Sequence, residues 1–260
     1  MPLSDADLMK YRASRAALSE VRPGMMLGLG SGSTAEWFVK VLAEWSTLHD
    51  AKLTTVPTSE RTGALARELG LNVVTLDAVG RLDLTVDGAD EFDADLVLIK
   101  GGGGAHLREK IVARASDRMV VIADPGKEVA TLGAFKLPVE VIPFGHAATR
   151  RLLADVLGGF GYQDDVITLR GGTETPYRTD EGNLIYDLDL EKIADARALA
   201  AALSQVTGLV EHGLFVGIAS AVYLGHAHGG VERLGTGGLR SDLAFDDGLD
   251  ETAFLARWGG

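Results

Sequence analysis

Residues 25–34 read Met-Met-Leu-Gly-Leu-Gly-Ser-Gly-Ser-Thr, a short apolar run that ends in a turn rich in glycine and hydroxyl groups. The run is short and bounded by turn residues, so it predicts a buried strand, and the pattern of residues 34–48 predicts a helix directly after it. The same order of strand, turn and helix recurs at residues 96–99 and 107–115. Strands that alternate with helices are typical of a parallel sheet covered by helices.

Other short apolar runs extend this pattern through the first half of the chain. Further strands are predicted at residues 53–56, 73–76, 82–86 and 119–123, with a helix at residues 60–69. We therefore expect an α/β fold built on a Rossmann-like parallel sheet. Ligands of such sheets bind at the carboxyl ends of the strands, which is where the glycines of this chain fall.

The pattern changes after residue 136. Strands are predicted at residues 137–144, 166–169 and 184–188, and helices at residues 147–157 and 190–203. This mixture suits a smaller α+β domain, while the apolar segment 213–223 is expected to return to the first sheet. We predict a catalytic domain of residues 1–134 and 213–234, a small domain of residues 135–212, and an acidic, glycine-rich, poorly ordered C-terminal tail of residues 235–260.

Composition and charge exclude several classes of protein. The 260 residues contain 25 basic and 37 acidic side chains, a net charge of −12 that disfavours binding to nucleic acid or to an anionic membrane. The absence of cysteine excludes disulfides, cysteine-ligated metals and a thiol nucleophile. The opening residues are polar and no apolar run is long enough to span a bilayer, so we expect a cytoplasmic protein.

The turn at residues 28–34 is suited to binding an anion. Its glycines allow close approach, and backbone N–H groups at a helix N-terminus attract negative charge. A dinucleotide fingerprint would need glycine in place of Ser33 and an acid where the chain has Pro57-Thr-Ser59, and the lysine of a phosphate loop is missing. A small phosphate monoester therefore fits this turn better than NAD or ATP. The alternative is a plain turn in which Ser33 or Thr34 is the N-cap.

An acidic cluster, Asp87-Gly-Ala-Asp-Glu91, follows another predicted strand. Carboxylates at the end of a strand accept hydrogen bonds from sugar hydroxyls, and a tight turn would let Asp87 and Asp90 face one pocket. The alternatives are a solvated turn and a magnesium site, the latter less favoured because hard cations need a denser set of oxygen ligands.

The four glycines that follow Lys100 indicate that the backbone must come very close to another group. Lys100 ends an apolar strand, and Glu109 lies in the first turns of the next helix, where a carboxylate is favoured. A lysine beside a developing oxyanion and a glutamate near a carbon-bound proton are the parts that enolisation needs. Taken singly, Lys100 could be a strand-end charge and Glu109 a helix-start charge; His106 and the other histidines are interpreted as structural.

The ordered set of motifs resembles ribose-5-phosphate isomerase of type A. The motifs are Gly30-Ser-Gly-Ser-Thr-Ala35, Pro57-Thr-Ser59, Asp87-Gly-Ala-Asp-Glu91, Lys100-Gly-Gly-Gly-Gly-Ala105 with Arg108-Glu-Lys110, and Leu137-Pro-Val-Glu-Val-Ile-Pro143. The resemblance runs from about residue 5 to about residue 225. It departs from the family in Ser31, which replaces a common threonine, in the loosely matching stretch 169–177, and in the tail.

The resemblance implies metal-free interconversion of D-ribose 5-phosphate and D-ribulose 5-phosphate in the pentose phosphate pathway, with no cofactor. Glu109 matches the general base, Lys100 the lysine that stabilises the charged oxygen, and Asp87 and Asp90 the pair for ring opening and hydroxyl binding. The implied substrate contacts are Ser31, Gly32, Ser33, Thr34, Asp87, Gly88, Ala89, Asp90, Lys100, Gly101, Gly102, Gly103 and Lys127, with Lys10 in a further matching position. Homodimers or homotetramers are usual in this family, and the small domain is expected to carry the contacts.

Two other functions remain open at this point. A sugar-phosphate sensor would keep the phosphate turn but would need neither Glu109 nor Lys100. A coenzyme A transferase would use a glutamate as a nucleophile, so an acyl adduct on Glu109 would identify it.

Overall fold

A sheet of eight strands forms the centre of the computed structural model, which describes residues 4–244 and 247–258. The first half of the chain contains α1 (Asp5–Ala17), β1 (Met26–Leu29), α2 (Ser33–Leu48), β2 (Thr54–Pro57), α3 (Glu60–Glu68), β3 (Asn72–Val73), α4 (Leu76–Val79), β4 (Leu84–Asp87), β5 (Glu91–Phe92), β6 (Leu98–Ile99), α5 (His106–Arg114) and β7 (Met119–Ala123).

The second half completes the large sheet and builds a smaller one. Its elements are β8 (Leu137–Val141), α6 (His146–Gly159), β9 (Ile167–Leu169), β10 (Leu184–Leu188), α7 (Ala196–Leu203), β11 (Leu209–His212), β12 (Leu214–Phe215), β13 (Ala219–Gly225), β14 (Val231–Gly235), β15 (Arg240–Asp242) and α8 (Glu251–Trp258).

The large sheet has the strand order β15-β14-β13-β7-β4-β1-β2-β3. The strands from β13 to β3 pair in parallel, and β14 and β15 add an antiparallel edge. All five residues of β7 are buried, as expected for a central parallel strand with helices on both faces. The expected helix-covered parallel sheet is therefore confirmed.

Helix α1, which the sequence analysis did not predict, packs closely on this sheet. Ser4 caps it by accepting a hydrogen bond from the N–H of Asp7, and its Tyr11 side chain is fully buried. A Cβ atom at Gly225 in β13 would overlap the carbonyl oxygen of Met9. This close packing places Lys10, on α1, at the carboxyl ends of the strands.

Two antiparallel sheets lie beside the large one. One has the order β11-β8-β10-β9, and the other has the order β12-β6-β5. The expectation that the run at residues 96–99 joins the parallel sheet is therefore wrong, since β6 pairs antiparallel with β5 and β12. The segment 213–223 divides in the same way: β12 joins the three-stranded sheet, and only β13 returns to the large one.

Several element boundaries also differ from the prediction. The predicted strand at residues 73–76 ends at Val73 and is followed by α4, and the helix predicted at residues 190–203 begins at Ala196, where Asp195 caps it. Strands β8 to β11 all fall within residues 135–212. The division into two domains itself stays a prediction.

The C-terminal segment is not the poorly ordered tail that its composition indicates. Strand β15 pairs with β14, and α8 packs on α1, where the buried Phe254 ring lies 4.9 Å from the ring of Tyr11. Burial of this aromatic side chain explains why the segment is ordered despite its glycines. Residues 245–246 and 259–260 of the expected tail lie outside the described residues.

Candidate active site

A cleft of about 270 Å³ opens at the carboxyl ends of β1 and β4. It brings together almost all of the site residues that the sequence predicts. Its lining consists of Lys10, Ser31, Gly32, Ser33, Thr34, Gly88, Ala89, Asp90, Lys100, Gly101, Gly102, Gly103, Glu109, Asp124 and Lys127. Asp124 is the one member of this set that the sequence analysis did not single out.

One end of the cleft is the N-terminus of α2. Gly32 is the N-cap, with φ at +89°, and within the described residues no side chain caps the helix. The interpretation of Ser33 or Thr34 as a side-chain N-cap is therefore wrong. The first-turn N–H groups and the helix dipole make this end suited to an anion, and Lys10 and Lys127 line the same cleft.

The turn before α2 is held by buried groups beneath it. The Ser31 hydroxyl lies 2.6 Å from the hydroxyl of Thr58, which follows β2. The N–H of Ser31 donates to Oδ1 of Asp87 at 3.1 Å. Gly30 packs directly on the same aspartate, and a Cβ atom there would lie 2.5 Å from Cα of Asp87. Glycine at position 30 is thus required by a close approach of two strands.

Lys100 forms the floor of the cleft and is only 3% exposed. Its ammonium Nζ lies 2.8 Å from Oδ2 of Asp87 and 3.3 Å from Oε2 of Glu109, and it donates to the carbonyl oxygen of Gly88 at 2.6 Å. Burial lowers the pKa of Lys100, but the carboxylates of Asp87 and Glu109 raise it by more, so its pKa lies above the ordinary value. The ammonium is therefore a fixed positive charge at neutral pH.

Glu109 lies in the first turn of α5 and is 4% exposed. Burial raises the pKa of Glu109 to about 8; Lys100 opposes this effect, and Asp87 and Asp90 add to it. Burial likewise raises the pKa of Asp87, against the effect of Lys100. A carboxylate that gains and loses its proton near neutral pH is suited to general acid–base catalysis.

The glycine loop at residues 101–104 follows Lys100, and its Gly101, Gly102 and Gly103 line the cleft. The N–H of Gly102 donates to Oδ2 of Asp90 at 2.8 Å, so the loop and this carboxylate are fixed together. Gly101 has φ at +107° and Gly104 has φ at +80°, which explains two of the four glycines.

Two residues singled out from the sequence lie away from the lining of the cleft. Asp87 is fully buried behind Lys100, where it accepts hydrogen bonds from the N–H groups of Ser31 and Gly88. His106 is also fully buried, with Nε2 3.4 Å from the carbonyl oxygen of Glu211, and burial lowers its pKa to about 3. A neutral, buried histidine agrees with the structural interpretation of His106.

The ammonium and carboxylate groups that line the cleft are of the kinds that acid–base and electrostatic catalysis use. Across residues 4–244 and 247–258, no group of three or more metal-ligating side chains could hold a metal ion. In the same residues, no helix is long and apolar enough to cross a membrane.

Comparison with known proteins identifies the family of this chain. The family model for ribose 5-phosphate isomerase A (phosphoriboisomerase A) matches residues 54–229. A ribose-5-phosphate isomerase A from Cereibacter sphaeroides is 53% identical over 248 residues, which are 95% of this chain and 94% of that protein. One from Ruegeria pomeroyi is 54% identical over 230 residues, 88% of each chain.

Solved structures give the same result. Ribose 5-phosphate isomerase A from Methanocaldococcus jannaschii matches with a TM-score of 0.80 at 36% identity, covering 89% of this chain and all of that one. A D-ribose-5-phosphate isomerase in complex with phospho-erythronic acid matches with a TM-score of 0.81 at 34% identity, covering 90% of this chain and all of that one.

Proposed function

The chain belongs to the ribose 5-phosphate isomerase A family, and we propose that it interconverts D-ribose 5-phosphate and D-ribulose 5-phosphate with Glu109 as the base. Membership of the family makes the chain an isomerase. The observation that carries the assignment of the base is the buried contact between Glu109 and Lys100, 3.3 Å apart in the wall and floor of the cleft. It places a proton acceptor beside a fixed positive charge.

The phosphate group of the substrate is assigned to the N-terminus of α2. Backbone N–H groups of the first turn and the hydroxyls of Ser31, Ser33 and Thr34 surround this end of the cleft. Lys10 and Lys127 supply positive charge there, which explains how a protein of net charge −12 binds a small anion.

The sugar then extends from the phosphate turn toward the glycine loop. Asp90, which lines the cleft, is assigned to the sugar hydroxyls and to opening of the ring. Because Asp87 is fully buried, we assign it to holding Lys100 in place rather than to direct contact with the sugar. A relative of this chain was solved with phospho-erythronic acid, and we expect the cleft described here to bind the same compound.

Glu109 removes the proton from C2 of the open-chain aldose and forms an enediolate. The Lys100 ammonium stabilises the charged oxygen, the proton of the C2 hydroxyl passes to the oxygen on C1, and Glu109 returns the carbon-bound proton to C1. General acid–base catalysis of this kind contributes about 10²- to 10⁴-fold, and stabilisation of the oxyanion about 3 kcal/mol more.

The experiment is to treat the purified protein with a chelator, add ribose 5-phosphate in D₂O and follow formation of the ketose. We expect ribulose 5-phosphate to form without added metal, and to carry deuterium at C1 in those turnovers in which the proton on Glu109 exchanges with solvent before it reaches C1. Absence of the ketose would overturn the proposal. An acyl adduct on Glu109 after incubation with an acyl-coenzyme A would instead indicate a transferase.

We also propose a cytoplasmic homodimer or homotetramer that acts in the pentose phosphate pathway. The support is the family, whose members are usually oligomeric, together with exposed apolar side chains in the small domain, including Ile142, Phe144 and Leu152. Light scattering after size-exclusion chromatography tests the assembly; a monomer at micromolar concentration would contradict it.

A further inference from the structure

Two side chains from the segment between β9 and β10 hold the glycine loop from behind. Arg170 donates through Nη1 to the carbonyl oxygens of Gly101 and Gly102, at 3.1 and 3.2 Å. The hydroxyl of Tyr177 donates to the carbonyl oxygen of Gly103 at 3.0 Å. Three successive carbonyl groups of the active-site loop are therefore fixed by a segment whose sequence only loosely resembles the family.

Arg170 is itself held in a fixed orientation. Its Nε donates to Oδ2 of Asp187 at 2.9 Å and its Nη2 donates to Oδ1 at 2.5 Å. The guanidinium therefore forms a bidentate pair with this carboxylate, which belongs to β10. The guanidinium carbon also lies 5.6 Å from the centre of the Tyr177 ring. Both groups are mostly buried, with 17% of the Arg170 side chain and 18% of the Asp187 side chain exposed.

One peptide unit joins this arrangement to the catalytic side of the cleft. The carbonyl oxygen of Gly101 accepts from Arg170, and the N–H of the same peptide unit, on Gly102, donates to Asp90. A trans peptide unit is planar and its C=O and N–H point in opposite directions, so fixing one end fixes the other. The position of Asp90 thus depends on a hydrogen-bonded chain that starts at Asp187 in the small sheet.

The peptide unit between Gly102 and Gly103 is also held by Arg170. Arg170 holds the carbonyl of Gly102, so the N–H of Gly103 in that unit is directed away from Arg170. Gly103 lines the cleft. Within the loop, the N–H of Gly104 donates to the carbonyl oxygen of Gly101 at 2.9 Å. The contacts with Arg170 and Tyr177 add to this bond and offset the conformational entropy that a run of four glycines loses on ordering.

We propose that Arg170 and Tyr177 are positioning residues of the isomerase, which fix the glycine loop so that its N–H groups and Asp90 meet the sugar part of the substrate. This inference rests on the proposed function and deepens it. It assigns to the small sheet a part in completing the active site, in addition to any part in assembly.

The experiment compares Arg170→Met, Arg170→Lys and Tyr177→Phe with the control Arg150→Met. Arg150 also pairs with an aspartate of the small domain, Asp164, but lies on α6 away from the glycine loop. Lysine keeps the positive charge but lacks the planar guanidinium, which donates at the same time to Asp187 and to the carbonyl oxygens of Gly101 and Gly102. Tyr177→Phe removes only a hydroxyl from a side chain that is 37% exposed, so it preserves the fold.

We expect Arg170→Met to lower kcat/KM about 10²-fold, the scale of a misplaced catalytic geometry, and Tyr177→Phe to lower it about threefold. Affinity for phospho-erythronic acid falls about tenfold in Arg170→Met, while affinity for inorganic phosphate, whose proposed site does not include the glycine loop, stays within about twofold. Arg170→Lys recovers only a small part of the activity. Amide hydrogen exchange of residues 101–104 becomes faster in Arg170→Met and unchanged in Arg150→Met.

Three outcomes overturn the inference. They are kcat/KM of Arg170→Met equal to that of Arg150→Met, full activity in Arg170→Lys, and equal losses of affinity for phosphate and for phospho-erythronic acid. If Arg170→Met does not fold, unchanged kinetics in Tyr177→Phe decide against the part assigned to Tyr177. If the wild-type protein has no isomerase activity, the proposed function fails instead, and hydrogen exchange alone then tests whether Arg170 fixes the loop.

Discussion

The ammonium Nζ of Lys100 lies 3.3 Å from the carboxylate Oε2 of Glu109, and both side chains are more than nine-tenths buried. Burial raises the pKa of Glu109 to about 8, and the positive charge of Lys100 limits that rise. The pKa of the proposed base therefore depends on its burial and on the neighbouring charge of Lys100, and differs from the ordinary pKa of a glutamate.

Replacement of Glu109 by glutamine removes the proton acceptor and keeps the size of the side chain. We expect kcat to fall about 10²- to 10⁴-fold and KM to change little, since the base contributes to the transition state. Formation of ketose measures the effect, and Glu68→Gln on the exposed side of α3 is the control. Near-normal turnover in Glu109→Gln would mean that another group is the base.

The pH dependence of catalysis follows from the raised pKa of Glu109. Only the ionised carboxylate accepts a proton, so we expect kcat/KM to rise with pH and to level off above about 8. A profile measured from pH 6 to 9.5 checks this expectation. A kcat/KM that is constant across this range would show that Glu109 is already ionised at pH 6.

The same pKa also makes stability depend on pH. The folded-state pKa of Glu109 is about 8 and its ordinary value is 4.5, so the folded protein holds this proton more tightly than the unfolded chain does. The stability that results is fully present below pH 4.5 and is lost as pH rises to 8. Glu109→Gln lacks this loss. Its stability relative to wild type should therefore increase by roughly 1 kcal/mol or more between pH 5 and pH 8.5. Denaturant unfolding at both pH values measures the change; an equal difference at both would contradict it.

Gly30→Ala tests the close approach of the phosphate turn to Asp87. The added Cβ would lie 2.5 Å from Cα of Asp87, so we expect a loss of about 1–3 kcal/mol in stability and little remaining activity. Gly158→Ala in α6 is the control, because its Cβ meets no described atom within 4 Å. That variant should be as stable as wild type or slightly more stable. Thermal unfolding compares the two.

Phe254→Ala tests whether the C-terminal helix is part of the core. The ring is buried against Tyr11, so its removal should cost about 3–5 kcal/mol in the free energy of unfolding. Activity per folded molecule should remain, since α8 lies outside the cleft lining. Leu239→Ala, at a side chain that is 75% exposed, serves as the control. Equal stability of the two variants would show that α8 contributes little.

Much of the candidate site was predictable because its residues follow local patterns in the sequence. Residues 25–34 combine a strand, a glycine turn and the start of a helix, and Lys100 and Glu109 stand nine residues apart on either side of four glycines. Such patterns predict side chains near the carboxyl ends of parallel strands. Pairing of β6 was not predictable, since a short apolar run does not reveal which sheet it joins. Helix α8 was missed for a similar reason: its buried ring has its partner on α1, far away in the sequence.

Residue types and short-range spacing were enough to predict the helix-covered parallel sheet, the glycine turn before α2 and the candidate site residues Asp90, Lys100 and Glu109. The burial of Asp87 behind Lys100, the raised pKa of Glu109, and the hydrogen bonds from Arg170 and Tyr177 to the glycine loop became evident only in the folded structure. These properties arise from burial and from contacts between residues distant in the chain, and no local pattern encodes either.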